Sequence, residues 1–474
     1  MTKELLAKEM SRRSWVQSLC GGFGSIGLLG MLGQEQARAA TLGHYVGPRY
    51  PTKAKHVIFL FLSGGPSQID MFDPKPTIAK YAGQRPDAVS NFRTERQTGG
   101  LMPSPFKFQK HGQSGTEVSE LLPEIASVID DVCVIRSMYT FNPAHTPSKN
   151  LIHSGVILAN RPTMGAWISY GLGTENQNLP GFVVLSAGQD SMLGGALWRS
   201  GFLPSEYGGV ALDHSDPEPD KMIRYLRNKQ LDKESQRRQL DLIQSLNRQD
   251  LDSFGPDAFL DGRIKAMESA YRLQFEAQEV FDVRKEPQSI REEYGDNNYG
   301  NSCLLARRLV ENGVRYIHVY PDSDNKLAGK NGVPSSWDDH REINKNYRGR
   351  CPEMDRAAGT LIRDLKRRGL LDETLVVWGG EFGRTPVSEG DGRDHDPYGY
   401  TMWMAGGGVK PGIVYGATDE FGFKAVENRV SIHDLHATIL YLLGVDHQKL
   451  TYRYAGRDFR LTDVFGEVVK DIIA

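Results

Sequence analysis

The sequence predicts an α/β fold: a mostly parallel central sheet sandwiched by helices. Three observations point there. Short unbroken apolar runs recur along the chain, as expected of strands covered on both faces. Helical stretches with apolar spacing alternate with them. Several of these runs empty into glycine-containing loops dense in Asp, Glu, His and Arg, where open α/β sheets place their ligands.

Residues 1–40 read as a signal peptide. Arg12 and Arg13 precede the apolar stretch Leu19 to Leu32, and Ala37-Arg38-Ala39 is a small-x-small cleavage site. The paired arginines predict export by the twin-arginine route, to the periplasm or beyond, with an ordinary secretory signal as the alternative. The apolar run is short for a membrane span, so no membrane attachment is expected after cleavage. Residues 41–474 are expected to form one domain, with a charged helical excursion at about 216–293.

The first strand is Val57 to Leu62, which runs into Ser63-Gly64-Gly65-Pro66-Ser67-Gln68-Ile69-Asp70. Pro86 to Lys110 is polar and reads as a surface excursion. Leu121, Ile125 and Ile129 give Glu117 to Ile129 helical spacing. The strand Val132 to Ile135 leads to His145, Thr146, Ser148 and Lys149, and a helix through Leu151 ends near Gly155. Phe182 to Leu185 is another strand. Cys303 to Asn312 is a helix stopped by Gly313 and followed by the strand Val314 to Tyr320. Trp337-Asp338-Asp339-His340 lies in the loop beyond it. The amphipathic Met354 to Arg368 leads into the strand Leu375 to Trp378, then a Gly- and Pro-rich loop carrying Glu381, Arg384 and Asp394-His395-Asp396. Thr401 to Ala405 is a strand, and a helix from Ser431 or Asp434 through Leu442 ends at Gly444.

Composition narrows the partners. Lys plus Arg (57) nearly balances Asp plus Glu (59), a net charge of -2, which gives no reason to expect nucleic acid. After signal cleavage the cysteines are Cys133, Cys303 and Cys351, without a CxxC pair, which argues against a thiolate zinc site.

Histidines beside carboxylates occur at Asp338/Asp339/His340 and Asp394/His395/Asp396. Imidazole with carboxylate suits zinc, manganese or iron(II), provided two distant loops converge. Alternatively each histidine simply donates to its neighbouring carboxylate. Arg384 is a candidate for an ester oxyanion, and His145, Thr146 and Ser148 are candidates for nucleophile or base.

Five blocks resemble one family. They are Leu62 to Pro76, Ala306 to Arg315, Trp337-Asp338-Asp339-His340, Glu381-Phe382-Gly383-Arg384-Thr385-Pro386 and Gly456 to Val464. In this order they resemble the domain-of-unknown-function 1501 family, grouped with the alkaline phosphatase and sulfatase superfamily. The resemblance implies an exported protein with a site at the strand carboxyl ends. It also implies a divalent metal (zinc, manganese or calcium) and a small-molecule or glycan phosphate or sulfate ester as substrate. Carried over by position, it puts metal ligation on Asp338, His340, His395 and Glu381. It puts the nucleophile at His145 or Thr146; with Arg384, read from its chemistry, these are the expected catalytic residues, and Ser63, Arg384 and Asp70 are the expected substrate contacts. The superfamily's first-strand Asp falls on Ser63, and its later Asp-His falls on Glu381-Phe382, so an altered site is expected. Asp70 or Asp73 is the candidate to replace the carboxylate that Ser63 cannot supply. Two functions follow: a metal-dependent ester hydrolase, or a binding protein for an anionic glycan or phosphoester.

Overall fold

The computed structural model describes residues 48–474 except 177, 187–193, 214–217, 223–231, 256, 277 and 321–335. The signal-peptide reading and part of the expected charged excursion, residues 216–217 and 223–231, lie outside the described residues.

The central sheet has nine strands. In chain order these are β1 (His56–Phe61), β2 (Val132–Tyr139), β3 (Phe182–Ser186), β4 (Val210–Asp213), β5 (Tyr316–Val319), β6 (Thr374–Gly379), β9 (Tyr400–Ala405), β10 (Ile413–Tyr415) and β11 (Val430–Ser431). A separate antiparallel hairpin, β7 (Gly383–Glu389) and β8 (Gly392–Asp396), follows β6. Across the central sheet the order is β10-β2-β9-β6-β1-β5-β3-β4, with β11 also on β2. Every pairing is parallel except those of β9, which is antiparallel to both β2 and β6.

β1 sits mid-sheet, and all six of its residues are buried. Its alternate side chains feed two cores, as the period of two requires. Ile58 and Leu60 face one side with Trp378, under helices α5 (Asn298–Glu311) and α6 (Ile343–Arg367). Val57, Phe59 and Phe61 face the other, under α1 (His145–Ser154), α2 (Met164–Leu172) and α7 (Ile432–Leu442). α7 begins with a capping box, Ser431 and Asp434 each bonding the other's backbone N–H. Helices α3 (Lys233–Phe254) and α4 (Ala258–Glu276) occupy the expected charged excursion.

Two local readings change. The expected helix over 117–129 divides into a strand, Thr116–Ser119, paired with Phe108–His111, and a short helix, Pro123–Ser127. Pro123 occupies the first turn of that helix, where its missing N–H costs nothing, and cannot continue one from upstream. The loop expected after β6 is largely the β7–β8 hairpin. Among the described residues, no helix is long and apolar enough to cross a membrane.

Candidate metal centre

The carboxyl ends of β1, β2, β5 and β6 open toward one edge of the sheet. After β1 the chain turns through Gly64 and Gly65, both at positive φ. A Cβ on Gly64 would lie 2.5 Å from Asp338 N, so only glycine lets the 336–340 loop approach this closely. The Ser63 carbonyl accepts from Trp337 N at 2.9 Å, fastening that loop to β1. His145 occupies the first position of α1, and Thr146 beside it is exposed. His395 comes from β8.

Three imidazoles converge on Asp338. His340 and His395 place Nε2 2.9 Å from its Oδ1, and His145 places Nε2 3.2 Å from its Oδ2. The Nε2 atoms of His340 and His395 are 3.1 Å apart. Behind each ring stands a glutamate. His145 Nδ1 meets Glu381 at 2.7 Å, His395 Nδ1 meets Glu95 at 2.5 Å, and His340 Nδ1 meets Glu389. Glu381 is fully buried and also accepts from Gly64 N through both oxygens, at 3.0 and 3.1 Å. Phe382 packs against both His145 and His395, at 5.0 and 4.6 Å between ring centroids.

The proton positions follow from these partners. A carboxylate only accepts, so each Nδ1 donates to its glutamate, and by the same rule an Nε2 that meets Asp338 donates to it unless a cation stands in the proton's place. The three Nε2 atoms thus crowd one ionised carboxylate, two of them 3.1 Å from each other. Burial opposes ionisation of Asp338, yet the three imidazoles and Arg384 hold its carboxyl far below the usual carboxylate range. Burial opposes charging of His145, but Asp338 and Glu381 on its two nitrogens outweigh it and lift it to about 9. Burial holds His395 below its ordinary value, with Asp338 opposing. His145 Nε2 is buried, and its approach to Asp338 lacks hydrogen-bond alignment. Positive charge at the point of convergence satisfies this set, as protons on the rings or as a divalent cation, which the spacing of the donor atoms fits. His145, Asp338 and His395 offer donor atoms all within 4.8 Å of one another. Second and third groups, Glu95–Asp394–His395 and His340–Glu389–Asp394, adjoin it.

Several candidates take roles other than those expected. Arg384 is fully buried and turned inward. It donates to the carbonyls of Gly65 (2.9 Å), Arg393 (3.0 Å), Trp337 (3.0 Å) and Gly64, and to Asp338 Oδ1 (2.7 Å), so its fork is committed to the fold rather than open to an oxyanion. Glu381 stands behind His145 as its hydrogen-bond acceptor rather than among the inward-facing donors. His145 joins that inward set. Asp70 is buried against Arg393 (2.7 Å) and Ser67 (2.5 Å), and Asp73 pairs with Lys75 at 3.0 Å. Neither replaces the carboxylate missing at Ser63. Of the two histidines, His340 meets its sequence neighbour Asp338 at 2.9 Å, whereas the His395 ring does not meet Asp394 or Asp396: Asp394 Oδ1 accepts from His395 N at 2.9 Å. Glu95 and Glu389 escape sequence reasoning, since Glu95 lies in a stretch legible only as a polar excursion.

A family model described as a protein of unknown function (DUF1501) matches residues 54–473. The chain belongs to the DUF1501 family. No curated protein matches it. Among solved structures, this DUF1501 chain is similar to a 2-O GAG sulfatase (11% identity, TM-score 0.38, covering 89% of this chain and 74% of that one). It is also similar to a sulfatase from Pseudoalteromonas sp. (15%, 0.34, 89% and 71%) and to alkaline phosphatase from the Antarctic bacterium TAB5 (8%, 0.35, 83% and 99%). Likenesses this distant transfer neither substrate nor chemistry to a DUF1501 protein.

Proposed function

We propose that the protein is an exported, metal-dependent hydrolase of phosphate or sulfate esters, small-molecule or glycan. One divalent cation would be held by Asp338 and by Nε2 of His145, His340 and His395. The observation that supports this reading is the convergence of three imidazole Nε2 atoms on one carboxylate, each ring oriented by its own glutamate. A histidine whose far nitrogen donates to a carboxylate is the usual environment of a metal-bound imidazole. The nitrogen-rich donor set favours zinc or manganese over calcium, which prefers oxygen. Export rests on the Arg12-Arg13 stretch and the cleavage-like site that follows it.

When bound, the cation would act as a Lewis acid toward an ester oxygen. The rest falls to the chain's own residues. Glu381, Glu389 and Glu95 fix tautomer and ring plane. Phe382 braces two of the rings. Thr146, exposed in the first turn of α1 and next to His145, is assigned as nucleophile or as the hydroxyl that positions water. His145 has one nitrogen on Glu381 and the other turned to the centre, so it serves as a ligand rather than a base.

Elemental analysis of the exported protein tests this. The expected result is roughly one zinc or manganese per chain, lost in His395→Ala, together with chelator-sensitive hydrolysis of aryl phosphate or sulfate. No stoichiometric metal, with hydrolysis unchanged in His395→Ala, would sink it. A binding-only role is favoured by one observation, the commitment of Arg384 and Glu381 to internal contacts. It predicts metal without turnover across an ester panel, while phosphate still raises the Tm.

A further inference from the structure

We infer that Arg96 receives the substrate's oxyanion, an inference that rests on the ester-hydrolase reading. The segment around it is pinned alongside the hairpin. Gly99 N donates to Ser388 O (2.7 Å), Ser388 N to Gly100 O (2.9 Å) and Met102 N to Pro386 O (2.9 Å), and Leu101 pairs with Val387. Arg85 holds the Thr98 and Gly99 carbonyls from the other side. This fixed strap sends Glu95 inward to His395. Arg96 N donates to Asp394 Oδ2 at 2.8 Å, and Asp394 in turn receives His395 N. The backbone of residue 96 is therefore anchored two hydrogen bonds from a candidate ligand.

Its side chain is not confined in the same way. Arg96 Nη1 meets Glu389 Oε1 at 3.2 Å, on the carboxylate that orients His340, and the side chain is 53% exposed. The other arginines near the centre are engaged inside the fold. Arg384 is bound to carbonyls and Asp338, Arg393 to Asp70 and the Thr385 carbonyl, and Arg350 to Asp339 while lying over Trp337. Among the described residues, Arg96 is the arginine that both touches the carboxylates of this cluster and faces solvent. An exposed ion pair of this kind is weak and exchangeable. A guanidinium fork matches two oxygens of a tetrahedral phosphate or sulfate. On substrate entry, Arg96 turns from Glu389 onto two non-bridging oxygens, and Glu389 keeps His340 in place. The ligand class is thus an anionic tetrahedral ester, recognised by the strap rather than by Arg384.

The test is calorimetric titration of inorganic phosphate, and separately sulfate, into zinc-loaded full-chain protein. Wild type, Arg96→Ala and Arg96→Lys are compared, with metal content measured for each. The expected result is phosphate binding weakened about tenfold or more in Arg96→Ala, less in Arg96→Lys, with metal content equal in all three. Phosphate affinity unchanged in Arg96→Ala, or no binding of either anion by the wild type, overturns the inference. The hydrolase reading is judged separately, by the metal content of exported protein and the turnover of the wild type.

Discussion

Arg384 donates to four backbone carbonyls and to Asp338 from a position without solvent exposure. It ties the turn after β1, the 336–340 loop and β8 together. Removing one member of such a buried charged set leaves the others unpaired, which costs about 3–5 kcal/mol. Arg384→Met should therefore lose about that much stability in urea unfolding. A variant of native stability with only weakened ester binding would restore the oxyanion role expected from sequence. At this scale the chain was half legible. Asp338, His340 and His395 stand out because histidine beside carboxylate in a glycine-rich loop is chemically suggestive. Glu95 and Glu389 do not, because their pairing with His395 and His340 exists only after folding: Glu95 and His395 are 300 positions apart. Nor does sequence tell an arginine facing outward from one folded under three loops.

Among elements, the β7–β8 hairpin organises the centre, although the sequence reads there as loop. Gly392 lies against the 336–340 loop, and a Cβ on it would come 2.3 Å from His340 C and 2.4 Å from Asp339 O. Both are backbone atoms, so the loop itself must move. Gly392→Ala should displace Asp338 and His340, lowering zinc affinity in chelator competition and costing about 1–3 kcal/mol from overpacking. Affinity equal to wild type would mean that the loop does not rely on this contact. The strands buried on both faces, such as β1 and β6, were legible because only apolar residues survive there. β4 and β10 were not, being short edge strands with partly exposed residues. The spacing of Leu121, Ile125 and Ile129 suggests one helix over 117–129, but Pro123 lets a helix begin only there.

For the whole molecule, buried histidines tie stability to pH. His436 on α7 is fully buried, with Nε2 donating to the Ile152 carbonyl on α1 at 2.7 Å. Burial depresses its pKa from 6.5 to about 3, with His433 and His153 adding to the fall and the Ile152 bond opposing it. The unfolded chain protonates this ring near 6.5, and the folded chain does so only near 3. Its stabilising contribution is thus complete above pH 6.5 and is lost as pH falls toward 3. By pH 5 the loss is about 2 kcal/mol. His436→Gln, whose amide can still donate to Ile152, should lose about that much less than wild type between pH 7 and 5 in urea unfolding. His318, likewise depressed by burial and by His153, steepens the acid limb in both proteins.

The reversed strand β9 sets an order of assembly. Its neighbours are complete in the chain by Tyr139 and Gly379, yet each keeps an open edge until Tyr400–Ala405 slots between them. A ribosome must release most of the polypeptide before that seam closes, and His395, just ahead of β9, is delivered equally late. Nascent product stalled upstream would display two sticky borders and no finished centre, a natural substrate for holding chaperones.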